Sequence, residues 1–216
     1  NLSIKMRLIV TLGIMGVLLI VIGVMGIVAL SRSNSSLDEM YSRSMVPSSQ
    51  IMTINRLLLR NRLAIAVSLV TPTPEVIRQN TAEVDANLAE IGKVWDEYMA
   101  YPMSENHKKL AEKFGEDRKK YAQGALKPTV EMLRAGKIDA AGKNVTDAIR
   151  PMYVPVREGI TALVKYHDDF AKKAALESAQ EAVLMRNIAI ALILLGLAVA
   201  GVMGWLLVQA IMRPLN

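Results

Sequence analysis

Two stretches of this sequence carry almost nothing that water would hold. From Leu8 to Leu30 there is no charged residue and Thr11 is the one polar interruption; from Ile188 to Ile211 only Gln209 is strongly polar. Roughly 20 consecutive apolar residues suffice to cross the hydrocarbon core of a bilayer, whereas a helix buried in a soluble core usually needs only about 10 to 14. Both stretches therefore read as membrane spans, and they fix what the rest of the chain can be. The first is too long for the apolar region of a cleaved signal peptide, which covers about 7 to 15 residues and ends at an Ala-x-Ala-like site, whereas this run exits through Val28-Ala29-Leu30-Ser31. It reads as an uncleaved anchor.

Orientation follows from the basic residues on the short flanks. Lys5 and Arg7 precede the first span and Arg213 follows the second, so both ends are expected in the cytoplasm and the middle outside it. With those three set aside, the 26 basic and 20 acidic residues of the chain nearly balance. Such a middle segment lacks the clustered basic face of a nucleic-acid binder. The chain has no cysteine, which suits an exported domain that folds without disulfides.

Between the spans no alternating strand pattern occurs, and helical periodicity is punctuated by turn residues at Thr71 to Pro74, Tyr101 to Ser104 and Ala135 to Asp139. Four helices result. The second opens with Thr73 as N-cap, Pro74 at the first helical position and Glu75 in the first turn. Its Ile77, Thr81, Val84, Leu88, Ile91, Trp95 and Tyr98 recur at steps of four and three, the seam of a helix packed nearly parallel to its neighbours. The first helix repeats the pattern through Met40, Ser44, Pro47, Ile51, Ile54, Leu58 and Ile65. The fourth, capped by Asp139, repeats it through Val145, Ile149, Met152, Val156, Gly159, Leu163, Tyr166 and Phe170. The third, from Ser104 to near Arg134, is the weakest, because Arg118 and Gly124 disturb its Leu110, Phe114, Tyr121 stripe. The expected fold class is all-α: an up-down-up-down four-helix bundle whose first and last helices are continuous with the spans. The expected division is a cytoplasmic N-terminus at 1–7, spans at 8–30 and 187–211, an outer sensor domain at 31–186, and a further segment beginning at 212–216.

Leu57, Leu58 and Leu59 in succession put apolar side chains on more than one face of the first helix. Either that helix is deeply buried, or its second face meets another copy and makes a homodimer.

Four motifs in order around the two spans then carry a likeness. They are Asn1-Leu2-Ser3-Ile4-Lys5-Met6-Arg7-Leu8, Met45-Val46-Pro47, Ala135-Gly136-Lys137-Ile138-Asp139-Ala140-Ala141, and Ile211-Met212-Arg213-Pro214-Leu215. Together they resemble the amino-terminal half of bacterial methyl-accepting chemotaxis receptors, over essentially the whole chain. Arg213-Pro214-Leu215 is similar to the start of a HAMP relay domain. The resemblance implies a homodimeric periplasmic bundle in the bacterial inner membrane, with a ligand site near its membrane-distal end at the dimer interface. It also implies output to a cytoplasmic kinase and coupling protein. Sensor histidine kinases and cyclases carry similar bundles, and a purely structural bundle without ligand is a further alternative.

The residues themselves point to arginine chemistry. Arg56 and Arg60 stand four apart on the first helix with Arg62 on a neighbouring face, and Thr146, Arg150, Tyr153 and Arg157 recur at steps of four, three and four on the fourth. A guanidinium donates two parallel hydrogen bonds to a carboxylate, so two facing clusters suggest a di- or tricarboxylate such as malate, succinate or citrate. By helix rise, Arg60 and Arg157 each lie about 45 Å from the nearer span and Arg150 about 10 Å further out. Pro151 and Pro155 interrupt backbone hydrogen bonding there. The competing reading pairs these arginines with carboxylates such as Glu158 or Asp147 on a solvated surface. Aspartate-type receptors, by the resemblance, use arginines of the first helix and a threonine beside a proline in the fourth. Pro151 matches that proline but Met152 stands in the threonine's place, and the arginine spacing differs. His107 and His167 read as satisfied surface histidines, without acidic residues at metal-ligand spacing. Phosphate-binding loops, nucleophile elbows and paired catalytic carboxylates are absent from the sequence, so no enzyme and no cofactor is expected.

Overall fold

A computed structural model of the chain describes residues 4–212. Asn1 to Ser3 and the relay-like Arg213-Pro214-Leu215 lie outside the described residues. Among the described residues every regular element is helical: α1 (Ile4–Met40), α2 (Val46–Val70), α3 (Pro74–Met99), α4 (Glu105–Tyr121), α5 (Lys127–Arg134), α6 (Ile138–Asn144) and α7 (Arg150–Met212).

Three wide π-helical turns, Tyr41–Met45, Ala122–Leu126 and Val145–Ile149, join α1 to α2, α4 to α5 and α6 to α7 without ending the helix. Each is followed, after one intervening residue, by a proline: Pro47, Pro128 and Pro151. The cause is local. A proline offers no N–H to the carbonyl four residues back, and its ring crowds that carbonyl. The backbone gains room by adding one residue to the turn. The residue before each proline then donates to the carbonyl five back, as in Val46 N–H to Tyr41 O, Lys127 to Ala122 and Arg150 to Val145. Of the two prolines expected to interrupt the fourth helix, Pro151 follows a wide turn and Pro155 lies within the continuous helix α7.

The chain divides into two units, one made of the segments up to Glu39 and from Lys173, the other of Met40–Lys172. In the first unit, both helical segments carry apolar windows long enough to cross a membrane. Their large side chains stay uncovered, Ile27 at 71% and Leu197 at 65% exposure. Surface of that kind and extent suits hydrocarbon as its solvent.

The second unit is a four-helix bundle. Its helices are α2 with the wide turn before it, α3, α4 with α5, and α6 with the early part of α7. The stripe expected on the first of these is buried from Ser44 and Pro47 through Ile51, Ile54, Leu58 and Ile65. On α3, Thr73 Oγ1 accepts from Val76 N–H at 3.3 Å, and the expected stripe faces inward with Leu88 half-buried. The third bundle helix holds its place through Ala111, Phe114, Tyr121 and Leu126, all with no exposure. Burying each large apolar side chain of this kind is worth about 1.5–3 kcal/mol. Arg118, which disturbs that stripe in sequence, lies over the Trp95 ring at 5.3 Å. Phe114 fits because the fourth helix presents Gly159 to it: a Cβ there would lie 2.8 Å from Phe114 Cδ2.

Two local expectations are corrected. Asp139 sits in the first turn of α6, whose N-cap is Lys137. The preceding α5 ends in a Schellman motif, with Lys137 N–H on Met132 O, Gly136 N–H on Leu133 O, and Gly136 at φ +69°. The inner face of the fourth helix is Ile149, Tyr153, Val156, Ile160, Leu163 and His167, while Met152, Gly159, Tyr166 and Phe170 lie along its half-buried edge. The period is as expected; the phase is turned by part of a residue step, because the neighbouring helices pack against one edge of a wide apolar arc.

Candidate functional site

The wide turn Val145–Ile149 shapes one side of a cavity of about 390 Å³ between α2 and the fourth bundle helix. Leu59, Leu63 and Ala66 line it from α2, Val145 and Ile149 from the turn, and two guanidinium-bearing residues, Arg62 and Arg150, stand on opposite sides of it. Arg62 lies over the Tyr153 ring at 4.3 Å. Tyr153 in turn tilts against Tyr121 at 5.6 Å. The Tyr121 hydroxyl is buried without a hydrogen-bond partner, and burial pushes its pKa up against the opposing pull of Arg62. Chemically the arrangement offers two cations beside an aliphatic wall, the features that hold a small anion with an apolar part.

Of the six residues singled out in sequence, Arg150 lines this cavity and Tyr153 is 8% exposed beneath Arg62. Thr146 is exposed in the wide turn. Arg56 and Arg157 are exposed and are not among the lining residues. Arg60 points to α3, where its Nη2 and Nε meet Glu83 Oε1 at 2.8 and 3.0 Å. Arg62, named in sequence only as a neighbour, is the α2 arginine that reaches the cavity. A step of three from Leu59 toward the fourth helix was its signal.

Beside the cavity, α2 leaves an apolar stripe uncovered. Met45 (58%), Met52 (50%), Leu59 (46%) and Leu63 (63%) follow the heptad spacing of the first bundle helix, and Arg56 stands among them.

The other polar centre lies at the opposite end of the bundle. His107 and His167, expected at the surface, are 5% and 0% exposed. Tyr98 Oη bonds to His107 Nε2 at 2.6 Å and to His167 Nε2 at 2.9 Å. His167 Nδ1 lies 3.2 Å from the Arg43 carbonyl, and the Ser44 hydroxyl donates to the His167 carbonyl at 2.7 Å. A carbonyl can only accept, so His167 Nδ1 carries the hydrogen and its neutral Nε2 accepts from Tyr98. The Tyr98 oxygen then accepts from His107 Nε2–H. One direction of donation thus runs from the third bundle helix through α3 and the fourth to the first. Burial pushes the Tyr98 hydroxyl up, takes His107 down to about 4 with His167 adding to the effect, and lowers His167, which the Arg43 carbonyl partly opposes. The missed signal was the step of four from Leu163 to His167, which puts that imidazole on the inner face.

The sequence family described as Tar ligand binding domain homologue matches residues 1–171. No curated protein and no solved structure matches the chain.

Proposed function

This chain belongs to the family of Tar ligand binding domain homologues and carries a chemoreceptor sensor domain, and from that premise we propose that it binds a small carboxylate outside the cytoplasm and passes the signal inward. The observation that carries the reading is the cavity bordered by Arg150 and by Arg62, which itself rests on the Tyr153 ring. Two guanidiniums match a ligand with two or more carboxylates, such as malate, succinate or citrate, better than a sugar or a cationic amino acid. In this reading Thr146 and Arg157, exposed on the fourth bundle helix on either side of Arg150 in sequence, reach a ligand that extends beyond the cavity. Arg56, on the exposed apolar stripe, joins from the seam of a homodimer formed along α2, and Arg60 joins only by releasing Glu83.

In this reading the protein is a multi-pass protein of the bacterial inner membrane with its bundle in the periplasm. The signal leaves through α7, whose helical backbone runs from Arg150 at the cavity to Met212. A ligand that binds one position of that helix more tightly than another shifts it on the scale of about 1–2 Å. The output goes to a cytoplasmic kinase and coupling protein through a following segment. Calorimetry of the full chain in nanodiscs with malate, succinate and citrate tests the site. Arg62→Lys and Arg150→Lys keep the charge and lose the fork, so each should weaken binding by about 1.5–3 kcal/mol. Wild-type affinity for a proven carboxylate in both variants, and in Arg56→Lys, Arg60→Lys and Arg157→Lys, removes the arginine site.

A further inference from the structure

About 25 to 30 Å along α2 from Arg62, counted by helix rise, the histidine relay borders a second cavity of about 320 Å³. Tyr101, Met103 and Ser104 line it from the α3–α4 connection, Tyr166 and Phe170 from α7, and Arg43 from the wide turn before α2. His107 forms part of its wall and stacks on Tyr166 at 4.5 Å and 21°. Four planar rings thus line the cavity, with one guanidinium-bearing residue among them.

The relay fixes which nitrogen of His107 can serve a ligand. Its Nε2–H is spent on Tyr98. Its Nδ1 carries the lone pair, and no hydrogen bond joins it to a protein group among the described residues. His167 is closed to this role, because its Nδ1–H is spent on the Arg43 carbonyl and its Nε2 already receives the Tyr98 hydrogen. A proton added to His167 would set two hydrogens into one hydrogen bond. A proton added to His107 Nδ1 leaves every relay bond in place.

We propose that this cavity is a second ligand site, taking a small planar aromatic carboxylate whose ring packs among Tyr101, Tyr166 and Phe170 and whose carboxylate meets Arg43 and a protonated His107 Nδ1. Aromatic rings pack on one another by offset or edge contacts worth more than their buried area alone. The carboxylate supplies the charge that burial otherwise denies the imidazolium. The groups facing His107 or sharing its cavity are Arg43 from the first bundle helix, Tyr98 from α3, Tyr101 from the connection, and Tyr166 and His167 from α7. Glu105 pairs with Lys109 and Asp169 with Lys165. Binding takes one proton from solvent onto Nδ1 and leaves the hydrogen bonds of the relay in place. Affinity therefore rises about tenfold per unit fall in pH between the free and bound pKa of His107.

The chain has two histidines, both in this cluster, so imidazole nitrogen NMR of the full chain in nanodiscs reports on this site directly, with benzoate as the probe. Benzoate should convert one imidazole from a neutral ring protonated at Nε2 to an imidazolium while the other keeps its Nδ1–H form. Its affinity should rise at least tenfold from about pH 7.5 to about pH 5.5. His107→Gln should abolish that pH dependence, and Met103→Trp should exclude benzoate by filling the cavity. Saturating benzoate that leaves both imidazole spectra unchanged overturns the proposal, as does pH-independent binding. Benzoate binding that is silent at the histidines but lost in Arg62→Lys or Arg150→Lys places it at the arginine cavity and also overturns it.

Discussion

Gly136 holds a backbone conformation that other residues enter at a cost. Its φ of +69° closes the Schellman motif, and a Cβ there would meet nothing within 4 Å. Gly136→Ala therefore isolates the backbone contribution, and urea unfolding should show a loss of about 1–2 kcal/mol with the slope unchanged. The buried histidines supply a pH signature of another kind. Burial lowers His107 from the ordinary 6.5 to about 4 and lowers His167 as well. The unfolded chain therefore takes up protons first as pH falls. Stability from these groups is complete above about pH 6.5 and declines as pH falls toward about 4, by at most about 1.4 kcal/mol per pH unit for each proton. Denaturation midpoints measured across that range should fall more steeply for the natural chain than for His107→Gln.

Between elements, a buried amide pair sets how α2 meets α3. Asn87 Nδ2 donates to Asn61 Oδ1 at 2.8 Å, with Asn61 fully buried. Around it, Ser68 accepts from Asn80 at 3.1 Å and Arg60 meets Glu83, so the two helices are keyed along their length. Asn61→Ala should cost about 1–3 kcal/mol, because it leaves the Asn87 amide unpaired in the core. Asn61→Leu combined with Asn87→Leu should recover part of that loss. A double-mutant cycle by thermal unfolding measures the coupling, and purely additive losses would show that the pair sets no register.

For the whole molecule, the expected arrangement is a bundle outside the cytoplasm, paired with a second copy through the uncovered stripe of α2. The chain lacks cysteine, so single cysteines report cleanly. Thr73→Cys and Lys137→Cys, in the turns between bundle helices, should react with an impermeant reagent in intact spheroplasts. Met52→Cys, on the exposed stripe, should form an intermolecular disulfide with its counterpart. Labelling only after lysis reverses the topology, and a Met52→Cys chain that never crosslinks removes the α2 seam.

The two long apolar helices, the three connections and the inward stripes of α2 and α3 were legible in the sequence because each rests on local chemistry or on a period. Water excludes a long apolar run wherever it occurs, Thr73 and Pro74 start a helix by their own groups, and a step of four and three repeats on one face. Phase and partnership are not local. Each of the three wide turns adds a residue and rotates the downstream helix by about 100°, and the neighbouring helices decide which edge of an apolar arc goes inside. Packing brought Arg62 rather than Arg60 to the cavity, gave Arg60 to Glu83, and turned His167 inward to meet Tyr98 and His107. Residues from four helices meet in that relay, and their separation in sequence, from Ser44 to His167, hides a contact that only the folded bundle makes.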